Sequence, residues 1–262
     1  MSERLAGKVC VVTGAAQGIG AAYATAMAAN GADVAILDLK RIDQASEVEE
    51  EIARLGRRSI SLKADVTDAE QMKDAMAKVV AEFGHIDCLV NNAALMYDQL
   101  TATWDEFLAV NFMGIVNASN AVVPCLWEQA SGSIVNISST AAFPIPLPEF
   151  MRPGPDSPPP VVDPSGYAIT KWMVIFQTRH MAQMLGIKNI RVNAVAPGVT
   201  LSPATKAVVP EPIIDTLVGA AALRSALDPE DHAGLIVFLA SDESSKMTGQ
   251  VLVNDAGTHF AA

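Results

Sequence analysis

Cysteine, aromatic side chains, positive charge and long apolar runs are all scarce in this chain. Its 262 residues hold three cysteines, Cys10, Cys88 and Cys125, an odd number with no Cys or His at metal-ligand spacing nearby. That argues against a disulfide framework and against a metal site, and it predicts free, buried thiols in a reducing compartment. Eighteen Lys and Arg stand against 29 Asp and Glu, so the net charge of −11 would repel a nucleic-acid backbone or an anionic membrane. The first apolar run, Val9 to Val12, stops at Thr13-Gly14, too short for the core of a signal peptide. No unbroken run of about 18 apolar residues follows it. A cytoplasmic protein with no nucleic-acid or membrane partner is the expectation.

What the chain does have is apolar mass and a regular alternation. Half of its residues are apolar and 18% are charged, which favours one large domain over residues 1–262. Short β-branched runs at 9–13, 33–38, 59–65, 86–91, 133–138, 190–196 and 250–253 read as strands. Between them, 19–30, 44–56, 69–84, 104–128, 167–186 and 229–240 have helical spacing or composition. Such alternation implies an α/β fold, a doubly wound parallel sheet of about seven strands with helices on both faces. Several strands lack polar alternation, as expected when both faces are covered. The exception is 143–164, which carries nine of the fifteen prolines and can be neither helix nor central strand. Its apolar residues favour an inserted surface loop over a disordered linker.

Thr13-Gly14-Ala15-Ala16-Gln17-Gly18-Ile19-Gly20 follows the first strand and opens the first helix. Glycines there let the backbone turn tightly and approach a pyrophosphate seated on free helix amides. The spacing is Gly-x3-Gly-x-Gly, which differs from Gly-x-Gly-x-x-Gly, and alone such a turn is a weak signal. Asp38 closes the second strand, beside Leu39, where a carboxylate accepts both ribose hydroxyls of an adenosine and repels a 2′-phosphate. This points to NAD; Lys40 and Arg41 just beyond leave an opening for NADP.

Further landmarks continue in order: Asp65-Val66, Asn91-Asn92-Ala93-Ala94, Asn111, Ser139, Tyr167-x3-Lys171 and Pro197-Gly198. With the glycine turn, this series resembles the short-chain dehydrogenase/reductase family over the whole chain. The resemblance implies that Asp65 meets the adenine amino group with Val66 beside the ring, that Asn91 and Ala93 lie near the adenosine, and that Pro197-Gly198-Val199 holds the nicotinamide carboxamide. Ser202 stands where the family often has Thr, and Ala94 replaces the usual Gly. It further implies that Tyr167 exchanges the alcohol proton, Ser139 polarises the substrate oxygen, Lys171 grips the nicotinamide ribose, and Asn111 anchors a proton-relaying water.

Elementary electrostatics is compatible with those roles. Tyr167 and Lys171, four apart, share a helix face about 5–6 Å apart. Lowering a tyrosine pKa from about 10 to about 7 requires roughly 4 kcal/mol, and a unit charge about 4 Å away at an effective dielectric of 20 supplies about that much. Ser138 and Ser139 end a strand, so only one can face the substrate; the family pattern favours Ser139, with Ser138 as a strand-end cap. His85, His180, His232 and His259 have no catalytic spacing and read as surface or packing residues. Met72, Met76, Met173, Met181 and Met184 read as packing.

From Ser139 to Tyr167 is 28 residues, a longer gap than the resemblance implies, so 143–164 is expected to sit beside the active site and, with 201–212, to shape the substrate pocket. The neighbours Leu95, Met96, Phe143, Ile145, Leu147, Trp172 and Val199 are mostly apolar. The expectation is an NAD-dependent oxidoreductase interconverting a secondary alcohol and a ketone on a mainly apolar, cyclic or aromatic small molecule. Alternatives are a 3-oxoacyl thioester reductase and a dinucleotide sensor without catalysis. The apolar run 172–176 on the catalytic helix, wider than one stripe, predicts a homo-oligomer, a tetramer.

Overall fold

The computed structural model describes residues 3–96, 102–143 and 166–259. Seven strands form one parallel sheet: β1 (Val9–Thr13), β2 (Asp33–Asp38), β3 (Ser59–Lys63), β4 (Cys88–Asn91), β5 (Gly132–Ile137), β6 (Ile190–Pro197) and β7 (Val251–Asn254). Their spatial order is β3-β2-β1-β4-β5-β6-β7. The chain starts in the middle, builds one edge, then returns beside β1 to build the other. The winding direction therefore reverses between β1 and β4, where open α/β sheets leave a crevice at the strands' carboxyl ends.

The helices are α1 (Gly18–Ala29), α2 (Ala45–Arg54), α3 (Ala69–Phe83), α4 (Trp104–Phe107), α5 (Gly114–Gln129), α6 (Gly166–Leu185), α7 (Pro203–Val208), α8 (Glu211–Ala220) and α9 (Glu230–Ala240). Local chemistry sets their ends. Asp68 caps α3 by accepting from the amides of Glu70 and Gln71, and Gly84 at φ +90° stops it in a left-handed turn. Thr103 and Glu106 form a reciprocal capping box before α4. The predicted helix 104–128 is not one regular helix. Between α4 and α5 the backbone widens to a π turn over Leu108–Met113, a rare geometry that periodicity does not reveal.

The sheet buries apolar side chains on both faces, which is why β1 and β4 carry no polar alternation. One core packs Tyr23, Met27, Ile36, Val135 and Val237 under α1 and α9. The other packs Met72, Val79, Leu89, Leu126 and Val192 under α3, α5 and α6. The stretch Trp104–Gln129 is long and apolar enough to cross a membrane by length and composition. Its face Ala118, Val122 and Leu126 is instead spent on this second core. Cys10 and Cys88 are buried on paired strands, whereas Cys125 is only half-buried, contrary to the expectation that all three would be buried. The segment 201–212, expected only as a pocket-covering stretch, contains α7 and the start of α8. The proline-rich 143–164, apart from Phe143, lies outside the described residues.

Candidate active site

Parallel strands put every carboxyl end on one edge of the sheet, and the predicted residues lie there. Gly14 to Gly20 follow β1, Asp38 and Leu39 end β2, Asp65 and Val66 follow β3, Asn91 and Ala93 end β4, Ser139 follows β5, and Pro197 to Ser202 follow β6. Residues far apart in sequence thus converge without any side chain needing to reach across the fold.

Backbone geometry makes the first part of the site. Gly14 has φ +65° and Gly18 φ +61°, conformations that a side chain would strain. A Cβ on Gly20 would lie 2.3 Å from the Gly14 carbonyl oxygen, so only glycine allows α1 to begin this close to the turn. Neighbouring side chains lock the turn in place. The Thr13 hydroxyl accepts from the amides of Asn92 and Ala93 at 3.0 and 3.1 Å. The Asn92 amide donates to the carbonyls of Thr13 and Gly14 at 3.0 and 2.9 Å. Sequence reading placed Thr13 and Asn92 in motifs but did not foresee this clasp between two strand ends. Gln17, at the start of α1, is extended and provides no side-chain cap, and Ile19 packs against the core. Among the described residues, no side chain caps the first amides of the helix.

Asp38 does two jobs. One carboxylate oxygen accepts from the Lys40 and Arg41 amides at 3.1 and 3.0 Å, the turn-capping role, while the other lies 3.3 Å from the Ala16 amide at the glycine turn. The carboxylate thus lies beside the glycine turn. Leu39 beside it is exposed. Asp65 has one oxygen engaged by the amide and hydroxyl of Thr67 at 2.9 and 2.8 Å. Val66 is buried against Gly114, where an added Cβ would stand 2.7 Å from a Val66 methyl. Asn91 is buried; its amide donates to Asn136 and Ser119, while its own Oδ1 has no partner among the described residues.

At the other end of the crevice the groups are side chains. Asn111, fully buried in the π turn, accepts from the Leu95 amide at 2.7 Å and donates to the Leu95 carbonyl at 3.0 Å and to Thr170 at 3.3 Å. It fastens the segment after β4 to α6. Ser138 is buried and donates to the Lys171 carbonyl at 2.7 Å, so its hydroxyl is committed to packing. Ser139 is only half-buried and accepts from the Ala141 amide at 3.1 Å, and its hydroxyl donates to no acceptor among the described residues.

Tyr167 and Lys171 lie on one face of α6, with the lysine Nζ 5.6 Å from the centroid of the tyrosine ring. Lys171 is buried and donates to the Ile137 carbonyl at 2.8 Å. Burial lowers its pKa to about 8, because the charged form loses its water. Below that pH the ammonium remains a cation beside the tyrosine.

Past β6, the Gly198 amide donates to the Asn254 carbonyl, and a Cβ on Gly198 would be 2.6 Å from that of Asp255. The Val199 carbonyl accepts from Leu227. Ser202 is buried and caps α7 by accepting from the Thr205 amide at 3.1 Å, so its hydroxyl is tied to the helix. Sequence reading missed His232 as a support: it is fully buried and lies 2.8 Å from the Thr200 hydroxyl, and burial holds its pKa down to about 4, hence neutral.

A model of short chain dehydrogenases matches residues 8–150, and one described as enoyl-(acyl carrier protein) reductase matches residues 160–259. The chain belongs to the short-chain dehydrogenase/reductase family. It is 39% identical to a 3-oxoacyl-[acyl-carrier-protein] reductase of Thermotoga maritima over 97% of this chain and 98% of that one. It is 36% identical to a 3-alpha-(or 20-beta)-hydroxysteroid dehydrogenase of Mycobacterium tuberculosis, over 98% of this chain and 92% of that one. Among solved structures, a 7 alpha-hydroxysteroid dehydrogenase complexed with NADH and 7-oxo glycochenodeoxycholic acid superposes with a TM-score of 0.85 at 30% identity, covering 98% of this chain and 96% of that one. A short chain dehydrogenase from Burkholderia cenocepacia in complex with NADP gives 0.83 at 32% identity, over 97% and 99%. The protein is an oxidoreductase of this family, whose members bind a nicotinamide dinucleotide. The site fits such a group: Cβ atoms on Gly14 and Gly20 would collide with the backbone that shapes the turn, Gly18 faces open space, and among the described residues the first amides of α1 have no side-chain cap and the buried Asn91 Oδ1 has no partner.

Proposed function

We propose that this dehydrogenase interconverts secondary alcohols and ketones on a mainly apolar, cyclic or aromatic small molecule, using NAD(H). The observation that carries the reading is the arrangement around α6, with a lysine cation against the Tyr167 ring and a half-buried Ser139 hydroxyl just past β5. Tyr167 exchanges the proton with the substrate oxygen. Ser139 donates a hydrogen bond to that oxygen and holds it in place. Lys171 favours the tyrosinate by its charge and reaches the nicotinamide ribose, and Asn111 keeps α6 in register with the segment after β4. Gly14, Gly18 and Gly20 hold the pyrophosphate on α1, Asp38 the adenosine ribose, Asp65, Val66, Asn91 and Ala93 the adenine side, and Pro197, Gly198 and Val199 the carboxamide. The hydride would be supplied or taken up by a nicotinamide held by these residues.

NAD is favoured over NADP because the Asp38 carboxylate already faces the glycine turn and would stand against a 2′-phosphate. A cytoplasmic setting suits the three free cysteines. Assembly as a homotetramer suits Trp172 and Phe176, which are 55% and 64% exposed on α6 while Val174 and Ile175 of the same run are buried. Family members commonly pair through this helix and α5.

Similarity to the Thermotoga reductase favours a second reading, reduction of 3-oxoacyl thioesters. The charge of −11 weighs against it, because an acidic carrier protein would be repelled. The test is steady-state turnover of cyclic ketones and of acetoacetyl-CoA with NADH and with NADPH. Preference for a cyclic ketone with NADH supports the first reading; preference for the thioester with NADPH replaces it with the second.

A further inference from the structure

The turn after β6 is held by hydrogen bonds that lead to α9. The Gly198 amide donates to the Asn254 carbonyl at 2.9 Å, and the Asn254 side-chain amide donates to the Asp231 carbonyl at 3.0 Å. The Gly198 carbonyl accepts from the Thr200 hydroxyl at 3.0 Å, and that hydroxyl oxygen lies 2.8 Å from Nε2 of His232. Both polar groups of Gly198 therefore lead to consecutive residues in the first turn of α9, one through Asn254 and the other through Thr200. Thr200 and His232 are buried. The turn leaves the sheet beside the reacting groups, since Val195 of β6 pairs with Ile137 of β5. The Ser138 amide donates to the Val195 carbonyl at 2.7 Å, and Lys171 donates to the Ile137 carbonyl at 2.8 Å.

The protons in this chain of bonds have one consistent placement. A carbonyl only accepts, so the Thr200 proton goes to Gly198, and the short contact with His232 then requires a proton on Nε2. Nδ1 is the bare nitrogen, and it has no partner among the described residues. Burial holds the pKa of the ring down to about 4, so it stays neutral. An apolar side chain would fill the same space without burying an unpaired nitrogen, so the bond to Thr200 is what histidine adds. On the opposite side, the Val199 carbonyl and the Leu201 amide bond Leu227 at 3.1 and 2.7 Å. In such a parallel bridge the intervening Thr200 amide points away from Leu227, and it has no acceptor among the described residues.

We propose that His232 is a positioning residue for the nicotinamide end of the cofactor: through the Thr200 hydroxyl and the Gly198 carbonyl it fixes the main-chain groups of 197–200 that receive the carboxamide. This rests on the reading above that places the carboxamide on Pro197, Gly198 and Val199. Main-chain groups have no rotamer with which to adjust, so their affinity for a ligand depends on how well the backbone is held beforehand. The effect is confined to the nicotinamide half, because the glycine turn and Asp38 follow β1 and β2, separated from β6 by β4 and β5.

The experiment titrates NADH, and ADP-ribose, which lacks the nicotinamide, into wild type, Thr200→Val, His232→Leu, the double variant and His232→Gln. Wild type should bind NADH more tightly than ADP-ribose. Thr200→Val and His232→Leu should each weaken NADH by about tenfold and leave ADP-ribose within about twofold of wild type. The double variant should bind NADH no more weakly than either single variant, because both break the same chain of bonds. His232→Gln, whose amide can donate to Thr200, should recover most of the loss. Unchanged NADH affinity in the single variants, equal weakening of both ligands, additive losses, or a His232→Gln no better than His232→Leu overturns the role of His232 and leaves the carboxamide reading standing. Thr200→Val nearly keeps the shape of threonine and decides the matter alone if His232→Leu does not fold. Equal affinity of wild type for the two ligands overturns the carboxamide reading and the role of His232 together.

Discussion

The two ends of the crevice use different parts of the chain. Around Gly14, Gly18 and Gly20 the groups presented are main-chain amides, and the side chains nearby, Thr13 and Asn92, serve only to hold that backbone still. Around Ser139, Tyr167 and Lys171 the presented groups are side chains, and what holds them is buried polar packing: Ser138 on the Lys171 carbonyl, Asn111 on Leu95 and Thr170, and Lys171 on Ile137. The difference follows from the tasks. A pyrophosphate asks for several donors in a fixed concave array, which amides at a helix start provide without side-chain entropy. Proton transfer needs one titratable group, which only a side chain can supply.

If that division is right, removing one side-chain atom at the reacting end should destroy turnover and spare binding. Tyr167→Phe should lower kcat by at least about 10² to 10⁴ with the NADH Kd nearly unchanged, measured by steady-state kinetics and fluorescence titration. Substantial activity in the variant would mean that another group moves the proton.

Asp38 is the exception at the cofactor end, a side chain among amides, and it should control choice more than binding. Wild type should favour NAD over NADP by about a hundredfold or more in kcat/KM, since an uncompensated like-charge contact costs several kcal/mol. Asp38→Asn should reduce that ratio by about tenfold or more. Equal use of the two cofactors by wild type would assign the 2′-phosphate to Lys40 and Arg41 instead.

Burial of Lys171 makes the reacting end costly to fold, and the cost depends on pH. With its folded pKa lowered to about 8, the unfolded chain binds more protons than the folded one between pH 8 and the ordinary lysine range. Lys171 therefore destabilises the apo protein fully below pH 8, and the penalty is relieved as pH rises toward 10. Relative to Lys171→Met, wild type should gain on the order of 3 kcal/mol across that window. Urea unfolding of both proteins at pH 7 and pH 10 measures it, and a constant difference would refute the buried cation.

The smallest effect should come from the serine that only packs. Ser138→Ala should cost about 1 kcal/mol of stability through the lost bond to the Lys171 carbonyl, with kcat reduced far less than in Ser139→Ala. Comparing melting temperature and kcat for the two variants tests whether neighbouring hydroxyls divide structure from chemistry in this way.

How much could be read beforehand follows the same line. Strands β1 and β2 were legible to the residue, because a fully buried parallel strand is a continuous apolar run with punctuation at both ends. Helix α3 was legible because Asp68 and Gly84 mark its limits. The π turn around Asn111 was not, since one extra residue in a helical turn leaves the composition unchanged. Ser202 was placed by analogy with a threonine, yet whether a hydroxyl faces a ligand or caps α7 depends on the helix that follows it. His259 was legible only as a surface or packing residue, and its partners Asp255 and Phe143 were not, because the turn after β7 meets the segment after β5 only in the folded chain.

By itself, then, the sequence determined the seven parallel strands, the edge on which they end, the glycine turn and the order of the candidate site residues, because these rest on local periodicity and on backbone angles that few residues tolerate. Only the tertiary structure decided which hydroxyl of Ser138 and Ser139 is committed to packing, how deeply Lys171 is buried, and that His259 meets both Phe143 and Asp255. Those outcomes depend on water being excluded and on partners being supplied by strands and helices distant in sequence, and neither is encoded in any short stretch of the chain.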